Sequence, residues 1–434
     1  NNIIMKFNKY FMLGLAGLAF AACSNDENIA PDNSEEGNMY VSLSLGSAKT
    51  RSLGNGAVGK YNTVESLKFL FYDGAGNYVP YEVAQALRDE AIKALAGTTH
   101  QATVKLEGVP SVASILVIIA NEKTSNPIGK GTLAQAEATT IYLKNQALAK
   151  EDFTDFSNEN STLTGKEVIT ANNDGTYSAN MTLVPVTARM EVQNFIAVPA
   201  PASYLGDEIE SFEIAGIYIN DFYYEGALAA PLDSNRKKVN NGKGADTDGD
   251  GIIDSPQHAY TQDNYEKYNA DGITGDFAFL CDEPTYGEDG DAVAKAGAEG
   301  EQIDYFYVGE DNKVTSEKKN VIYKVQPAVA GKWWGYTIFR GTPPHMVIKM
   351  NVKYKNQAAP LTRYITIQKY TRKESSNTDG SIALNSVDRG FVYRMSDIIF
   401  DASDLTLTPY ETTKTVNAIV DIKEWEAIDI IPNF

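Results

Sequence analysis

The stretch ADTDGDGIIDSPQ, residues 245–257, sets acidic residues at the alternate spacing that metal loops use. Asp246, Asp248 and Asp250 alternate, so their carboxylates can converge on one cation, and Gly251 allows the sharp turn that such convergence needs. The spacing predicts a calcium loop ligated by Asp246, Asp248, Asp250, the Ile252 carbonyl and Asp254. Two departures set it apart from a helix-flanked calcium hand. Gln257 stands where a bidentate Glu would close the shell, and no helical pattern flanks the loop. The same residues would also make a solvated acidic turn between strands, and a bound calcium here would stiffen a loop without doing catalysis.

Other residues capable of chemistry do not converge. His100, His258 and His345 lie far apart and read as turn or surface residues, and no G-x-S-x-G elbow is present. Cys281 in FAFLCDEP reads as an inert packed thiol. Carboxylate pairs select nothing in a chain with 57 acidic residues. Trp333 and Trp334 in GKWWGYTIF point to opposite faces of a strand, which suits packing or, on an exposed face, sugar stacking. Gly54, Gly56 and Gly59 imitate a phosphate loop, but they lead into a strand where a dinucleotide site needs a helix N-terminus. The chain is therefore expected not to be an enzyme and to require no cofactor.

The elements that must position these residues are mostly strands. A length of 434 residues suits two domains of ordinary size with a tail to spare. Hydrophobic content of 43% and charged content of 22% are those of a globular protein, and 25 tyrosines among recurrent Val/Ile/Thr runs lean toward β-structure. A formal charge of -19 makes nucleic acid a poor partner. The two cysteines, Cys23 and Cys281, are placed so that even one disulfide is not expected.

From Met5 the chain reads as a secretory signal: Lys6 and Lys9, an apolar stretch from Tyr10 to Phe20, then small residues. Asn1 to Ile4 read as upstream translation. The ending FAAC resembles a bacterial lipobox, which makes Cys23 the expected lipidation site, although Phe20 replaces the usual Leu. Residues 24–38, acidic and without large apolar runs, read as a tether.

MYVSLSL then sets Met39, Val41, Leu43 and Leu45 on one face of a half-buried strand. Behind it, SAKTRSLGNG places Lys49 and Arg51 in a Gly/Ser stretch of the kind proteases cut. Strands are expected at VESLKFLFYD (with a DGAGN hairpin turn returning at Tyr78), ATVKL, ASILVIIANE as a central strand, MTLVPVTARMEVQNFIAV, IESFEIAGIYINDFYY, VIYKV, WWGYTIF, HMVIKMNVKYK, RYITIQKY, VYRMSDIIF, LTLTPYE and TVNAIVDIKEWEAIDII. One helix is expected in EVAQALRDEAIKAL. The fold class is all-β with few short helices, two β-sandwich domains in tandem.

Taken together, the lipobox, acidic tether, strand, Arg51 linker, TLVPVTARMEVQNF, ASILVIIANE and the Val392 to Phe434 block resemble the fimbrillins, shaft subunits of type V pili. That resemblance implies transthyretin-like sandwiches and this organisation: signal 1–23, tether and removable strand 24–51, first domain 52–182, second domain 183–411, and a donor tail 412–434. It further implies export as an outer-membrane lipoprotein, then cleavage between Arg51 and Ser52 by an arginine-specific protease. The strand Met39 to Leu45 would leave, and Val416, Ala418, Val420 and Ile422, continued by Trp425, Ile428 and Ile430, would fill the groove of another copy. The implied partners are further copies in a head-to-tail filament with anchor and tip subunits, at a cell-surface fimbrium serving adhesion, colonisation and biofilm formation. A monomeric surface lipoprotein that captures glycans would share the signal, tether and sandwiches but keep its first strand.

Overall fold

A computed structural model describes residues 36–45, 64–97, 99–124, 127–146, 161–229, 238–239, 280–308, 314–372, 382–409 and 416–424. Within them the chain is all-β, with three short helices. In chain order the first elements are β1 (Glu36–Leu45), β2 (Leu67–Tyr72), β3 (Tyr78–Val79), α1 (Gln85–Leu95), β4 (Gln101–Pro110), β5 (Ile115–Ala120), α2 (Leu133–Glu137), β6 (Thr140–Tyr142), α3 (Leu143–Gln146), β7 (Leu163–Val168), β8 (Thr170–Ala171) and β9 (Tyr177–Pro185). There follow β10 (Thr187–Ala197), β11 (Ile209–Asn220), β12 (Phe222–Tyr223), β13 (Glu225–Ala227), β14 (Lys238–Val239), β15 (Cys281–Asp282), β16 (Ala292–Ala296), β17 (Gln302–Val308) and β18 (Val314–Asn320). The last are β19 (Tyr323–Pro327), β20 (Trp334–Phe339), β21 (His345–Tyr354), β22 (Leu361–Arg372), β23 (Ile382–Ala383), β24 (Phe391–Phe400) and β25 (Val416–Glu424).

Two large sheets carry most of these strands. The first runs β3-β2-β5-β7-β9-β1-β4, with β8 on β9. The second runs β15-β11-β21-β22-β25-β24-β10-β19-β16, with β20 on β10 and β23 on β22. β9 passes into β10 through a single residue, Val186, so the two sheets are joined without a linker. The expected domain boundary between residues 182 and 183 falls inside β9.

Two apolar runs explain how the sheets share a core. In β2, Leu67, Phe69 and Phe71 face one buried cluster with α1 and β1, while Leu70 and Tyr72 face the other. β5 repeats this, with Leu116, Ile118 and Ala120 on the first side and Val117 and Ile119 on the second. Strict alternation in a run buried on both faces makes these two strands a wall between the cores. The hairpin from β2 to β3 forms where DGAGN predicts it. Asp73 accepts from the Ala75 and Asn77 amides at 2.9 and 2.8 Å, and Gly76 takes φ +82°.

LTLTPYE does not form the expected strand. Its only ladder contact in the described residues is an isolated bridge between Thr406 and Tyr364. Local side chains compete for the backbone there: Asp404 accepts from the Asp401 amide at 2.8 Å, and Asp401 from the Ser403 amide at 2.7 Å. The hairpin of β17 and β18 and the short helices α2 and α3 have no counterpart in the sequence reading.

Candidate functional site

The strand MYVSLSL is the central feature of the first sheet's far side. β1 runs parallel to β9, Met39 beside Tyr177 through Leu45 beside Leu183. It runs antiparallel to β4, Glu36 beside Pro110 through Ser44 beside Gln101. Met39, Val41, Leu43 and Leu45 are all buried, as their alternation predicts, in one cluster with Phe69, Phe71, Ile118 and Leu95. Ser42 and Ser44 face away, and Ser44 Oγ lies 3.2 Å from Thr182 Oγ1.

The ends of the slot are shaped by backbone. Between Gly37 and Met39 the β1–β4 register slips by a bulge, and a Cβ on Gly37 would come within 2.5 Å of the Tyr177 ring. At the other end the Leu45 amide donates to the His100 carbonyl at 3.1 Å. His100 has φ +51°, and its Nδ1 lies 3.1 Å from the Leu95 carbonyl, so it serves as a turn residue. Among the described residues β4 has no strand partner except β1. Taking β1 away would leave β4 attached through side chains and α1 alone.

The tail forms the second part of the site. β25 lies between β22 and β24 in the second sheet. It runs parallel to β22, Val416 beside Ile367 through Val420 beside Arg372, and then antiparallel to β24, Asp421 beside Arg394 through Glu424 beside Phe391. Ala418 and Ile422 are beside Tyr370 and Tyr393 respectively. The described part of the expected donor segment, Val416–Glu424, therefore lies within a sheet of its own chain.

Beside it sits a buried ionic cluster that the sequence reading missed. Glu191 on β10 accepts from Arg189 Nε at 2.7 Å and from Arg394 Nε at 2.6 Å. All three side chains are buried. Burial alone would raise the Glu191 carboxyl, but the Arg394 and Arg189 guanidiniums outweigh it and hold the group below the usual carboxylate range. Arg394 also lies 4.6 Å over the Trp333 ring. A Cβ on Gly335 would overlap the Arg189 guanidinium. The only signal in the sequence was TARME itself, two charges alternating through an apolar strand.

Of the two tryptophans only Trp334 lies in a strand, at the start of β20, and both are buried. Trp334 packs in the core, 5.6 Å from the Phe195 ring, while Trp333 is 9% exposed under Arg394. Neither offers an open ring. His345, expected as a turn or surface residue, instead begins β21, with Nε2 3.5 Å from the buried Asp221 carboxylate. Cys281 begins β15 beside Tyr218, partly buried against the larger core. Cys23, Arg51, Ser52, His258, Asp246, Asp248, Asp250, Ile252, Asp254, Trp425, Ile428 and Ile430 lie outside the described residues. Among the described residues no group of His, Cys, Asp and Glu could hold a metal, and no helix is long and apolar enough to cross a membrane.

No family model matches the chain. It is 32% identical over 140 residues to the major fimbrium subunit FimA type-2 of Porphyromonas gingivalis, covering 32% of this chain and 31% of that protein. It is 34% identical over 140 residues to the type-3 subunit of the same organism, with the same shares covered. The chain thus spans about a third of the length of the curated relatives it matches. A fimbrial assembly protein of Parabacteroides distasonis aligns over 85% of this chain and 93% of its own at 10% identity and TM-score 0.35. A candidate cell adhesion protein of the same species aligns over 90% and 100% at 12% identity and TM-score 0.45. The two sequence matches support a fimbrillin-family protein, the family whose resemblance the N-terminal, mid-chain and C-terminal motifs carry.

Proposed function

We propose that this chain is a structural subunit of a cell-surface fimbrium that polymerises by exchanging its first strand for the tail of another copy. The observation that carries the reading is the position of β1. It is an interior strand, paired on both edges, with four apolar side chains buried, and it is followed within a few residues by Arg51. Cleavage after Arg51 would free the strand from the body covalently. Its departure would bare a groove floored by Phe69, Phe71 and Ile118, together with the unpaired backbone of β4 and β9, which a soluble protein must cover.

The replacement must alternate as β1 does and pair parallel on one edge and antiparallel on the other. Val416, Ala418, Val420 and Ile422 alternate in that way, and β25 already forms one ladder of each kind. Burying four such side chains contributes roughly 6–12 kcal/mol by apolar transfer, with the backbone ladder added. A head-to-tail contact of this kind does not close on itself, so it grows a filament. The major fimbrium subunits similar to this chain support the same role.

Lipidation at Cys23, an arginine-specific protease, and anchor and tip partners belong to this reading, as does adhesion leading to colonisation and biofilm. Calcium at the aspartate loop is a separate proposal, with stiffening of that loop as its role. The glycan-capturing alternative loses its two tryptophans as open stacking platforms, since both are engaged in the body.

The test treats the chain from Ser24 to Phe434, with and without residues 412–434, with an arginine-specific protease. Intact mass should show a new N-terminus at Ser52, and an unheated denaturing gel should show an oligomer ladder only when the tail is present. Resistance of Arg51 to cleavage, or a cut protein that stays monomeric at high concentration, would end the polymer reading.

A further inference from the structure

Arginine and lysine occupy different parts of this molecule. Lysine takes exposed positions on helix, strand and loop alike, among them Lys93, Lys105, Lys130, Lys166, Lys318 and Lys355. Among the described arginine side chains none is exposed; each is buried or half-buried. A planar guanidinium suits buried ion pairs, which accounts for Arg189 and Arg394 on Glu191. It does not account for the surface, where a solvated cation needs no such fork.

The backbone is withheld as well. An endoprotease needs its target residue extended, with the side chain free to enter a pocket and the backbone free to pair. Three arginines lie inside ladders: Arg189 pairs with Thr337 and Val392, Arg363 with Met350, and Arg394 with Glu191 and Asp421. Arg88 lies in α1, its amide donating to the Ala84 carbonyl at 3.2 Å. Arg340 and Arg389 are more informative, because both lie in loops. The bond after Arg340 has its amide at Gly341, which donates to the Val387 carbonyl at 2.9 Å, and the Val387 amide donates back at 2.8 Å. The bond after Arg389 has its amide at Gly390, which donates to the Thr187 carbonyl at 2.8 Å. Both heads are engaged too: Arg340 Nη2 donates to the Ala229 carbonyl at 3.2 Å and Arg389 Nη1 to the Leu228 carbonyl at 3.0 Å. Lys130 is the opposite case. It is exposed between Gly129 and Gly131 in the connection from β5 to α2, and a Cβ on Gly129 would meet nothing within 4 Å.

We propose that this division is a specificity device: the body displays lysine and withholds arginine, so that an arginine-specific endoprotease passes over it. The inference rests on the reading above that such a protease matures the chain. Protection of the loop arginines comes from the Gly341–Val387 bridge and the bond from Gly390 to Thr187, and protection of the others from helix and ladder.

The folded full chain is digested separately with an arginine-specific and a lysine-specific endoprotease, and new N-termini are mapped over time by mass spectrometry. The lysine-specific enzyme should cut after Lys130. The arginine-specific enzyme should leave intact the bonds after Arg88, Arg189, Arg340, Arg363, Arg389 and Arg394. In the Lys130→Arg variant it should cut at position 130, with an initial rate at least about a hundredfold above that at any of those arginines. If circular dichroism shows that variant misfolded, Lys355→Arg, between β21 and β22, takes its place. Cutting of the unaltered chain after one of those arginines at a comparable rate, or a folded Lys→Arg variant left uncut at its new arginine, overturns the proposal. The bond after Arg51 is read in the same digest. Resistance there ends the strand-exchange reading and leaves the shielding standing, whereas cutting after Arg340 or Arg389 alongside cutting after Arg51 overturns the shielding alone.

Discussion

β1 and β25 are two strands of nearly equal length, each inserted between one parallel and one antiparallel neighbour, yet they are held differently. β1 uses both edges over the same residues: Met39 through Ser44 have partners on β9 and on β4 at once. β25 uses its edges in turn, Val416 to Val420 on β22 and Asp421 to Glu424 on β24. A strand clamped on both edges along its length comes out only when its neighbours lose their ladder. One paired along each edge for half its length can be peeled away a few hydrogen bonds at a time. The contrast suits the proposed exchange, in which cutting would release the first strand and the last would move to another copy.

The most severe way to break this comparison is to remove each strand separately. A chain beginning at Ser52 loses four buried side chains, roughly 6–12 kcal/mol of apolar transfer, comparable to the whole stability of a typical domain. Amide exchange should then open across β4 and β9. A chain ending at Thr415 should open β22 and β24 while β4 stays protected. Equal protection of β4 in both truncations would show that β1 is not the strand that holds it.

Next in size is the ionic cluster beside β25. Glu191→Gln leaves Arg189 and Arg394 buried without their carboxylate and should cost about 3–5 kcal/mol in urea unfolding. Because Arg394 is in register with Asp421, the cost should differ between the full chain and the chain ending at Thr415 by more than about 0.5 kcal/mol. Additive costs would mean that the cluster and the tail strand ignore each other.

A single truncation in the slot gives a smaller effect. Leu43→Ala removes a side chain that is 2% exposed and should cost about 2–5 kcal/mol, toward the lower end if α1 closes over the cavity. In the cut and assembled protein the same change should cost little, since Leu43 would have left. An equal cost before and after cutting would show that β1 remains in place.

Strand identity was largely legible because period-two alternation is local: Met39, Val41, Leu43 and Leu45 announce their face without any knowledge of partners. The double-sided burial of β5 was legible for the same reason, from an unbroken apolar run. Sheet order was not legible, since it depends on contacts between residues far apart. Nothing in ATVKL says that β4 will hang on β1 alone. The Arg189–Glu191–Arg394 cluster escaped because its third member is 203 positions away from Glu191. The β17–β18 hairpin escaped because charged VTSEKKN reads as a loop until its partner YFYV is placed beside it.

Alkaline pH should separate the two regions most gently. The larger core holds many buried tyrosines, and burial raises the Tyr370 hydroxyl, on β22 beside Ala418, well above the ordinary range. Tyr72 is likewise raised, to about 12, first by burial and then by Tyr78 and Glu137. These groups stay protonated in the folded protein at a pH where the unfolded chain has begun to ionise. Their contribution is therefore fully present below pH 10 and is lost as pH climbs from there toward 12. Among the described residues the core around β1 holds no fully buried tyrosine; Tyr81 and Tyr177 pack at its edge, partly exposed. Tyrosine absorbance near 295 nm, followed together with limited proteolysis at rising pH, should show the second sheet and β25 becoming cleavable before β1 and β4. The Tyr370→Phe variant should narrow that interval, though losing the bond to the Pro344 carbonyl at 2.8 Å makes it less stable at neutral pH. Simultaneous cleavage of both regions at every pH would mean that the shared wall of β2 and β5 couples the cores so tightly that neither strand loosens alone.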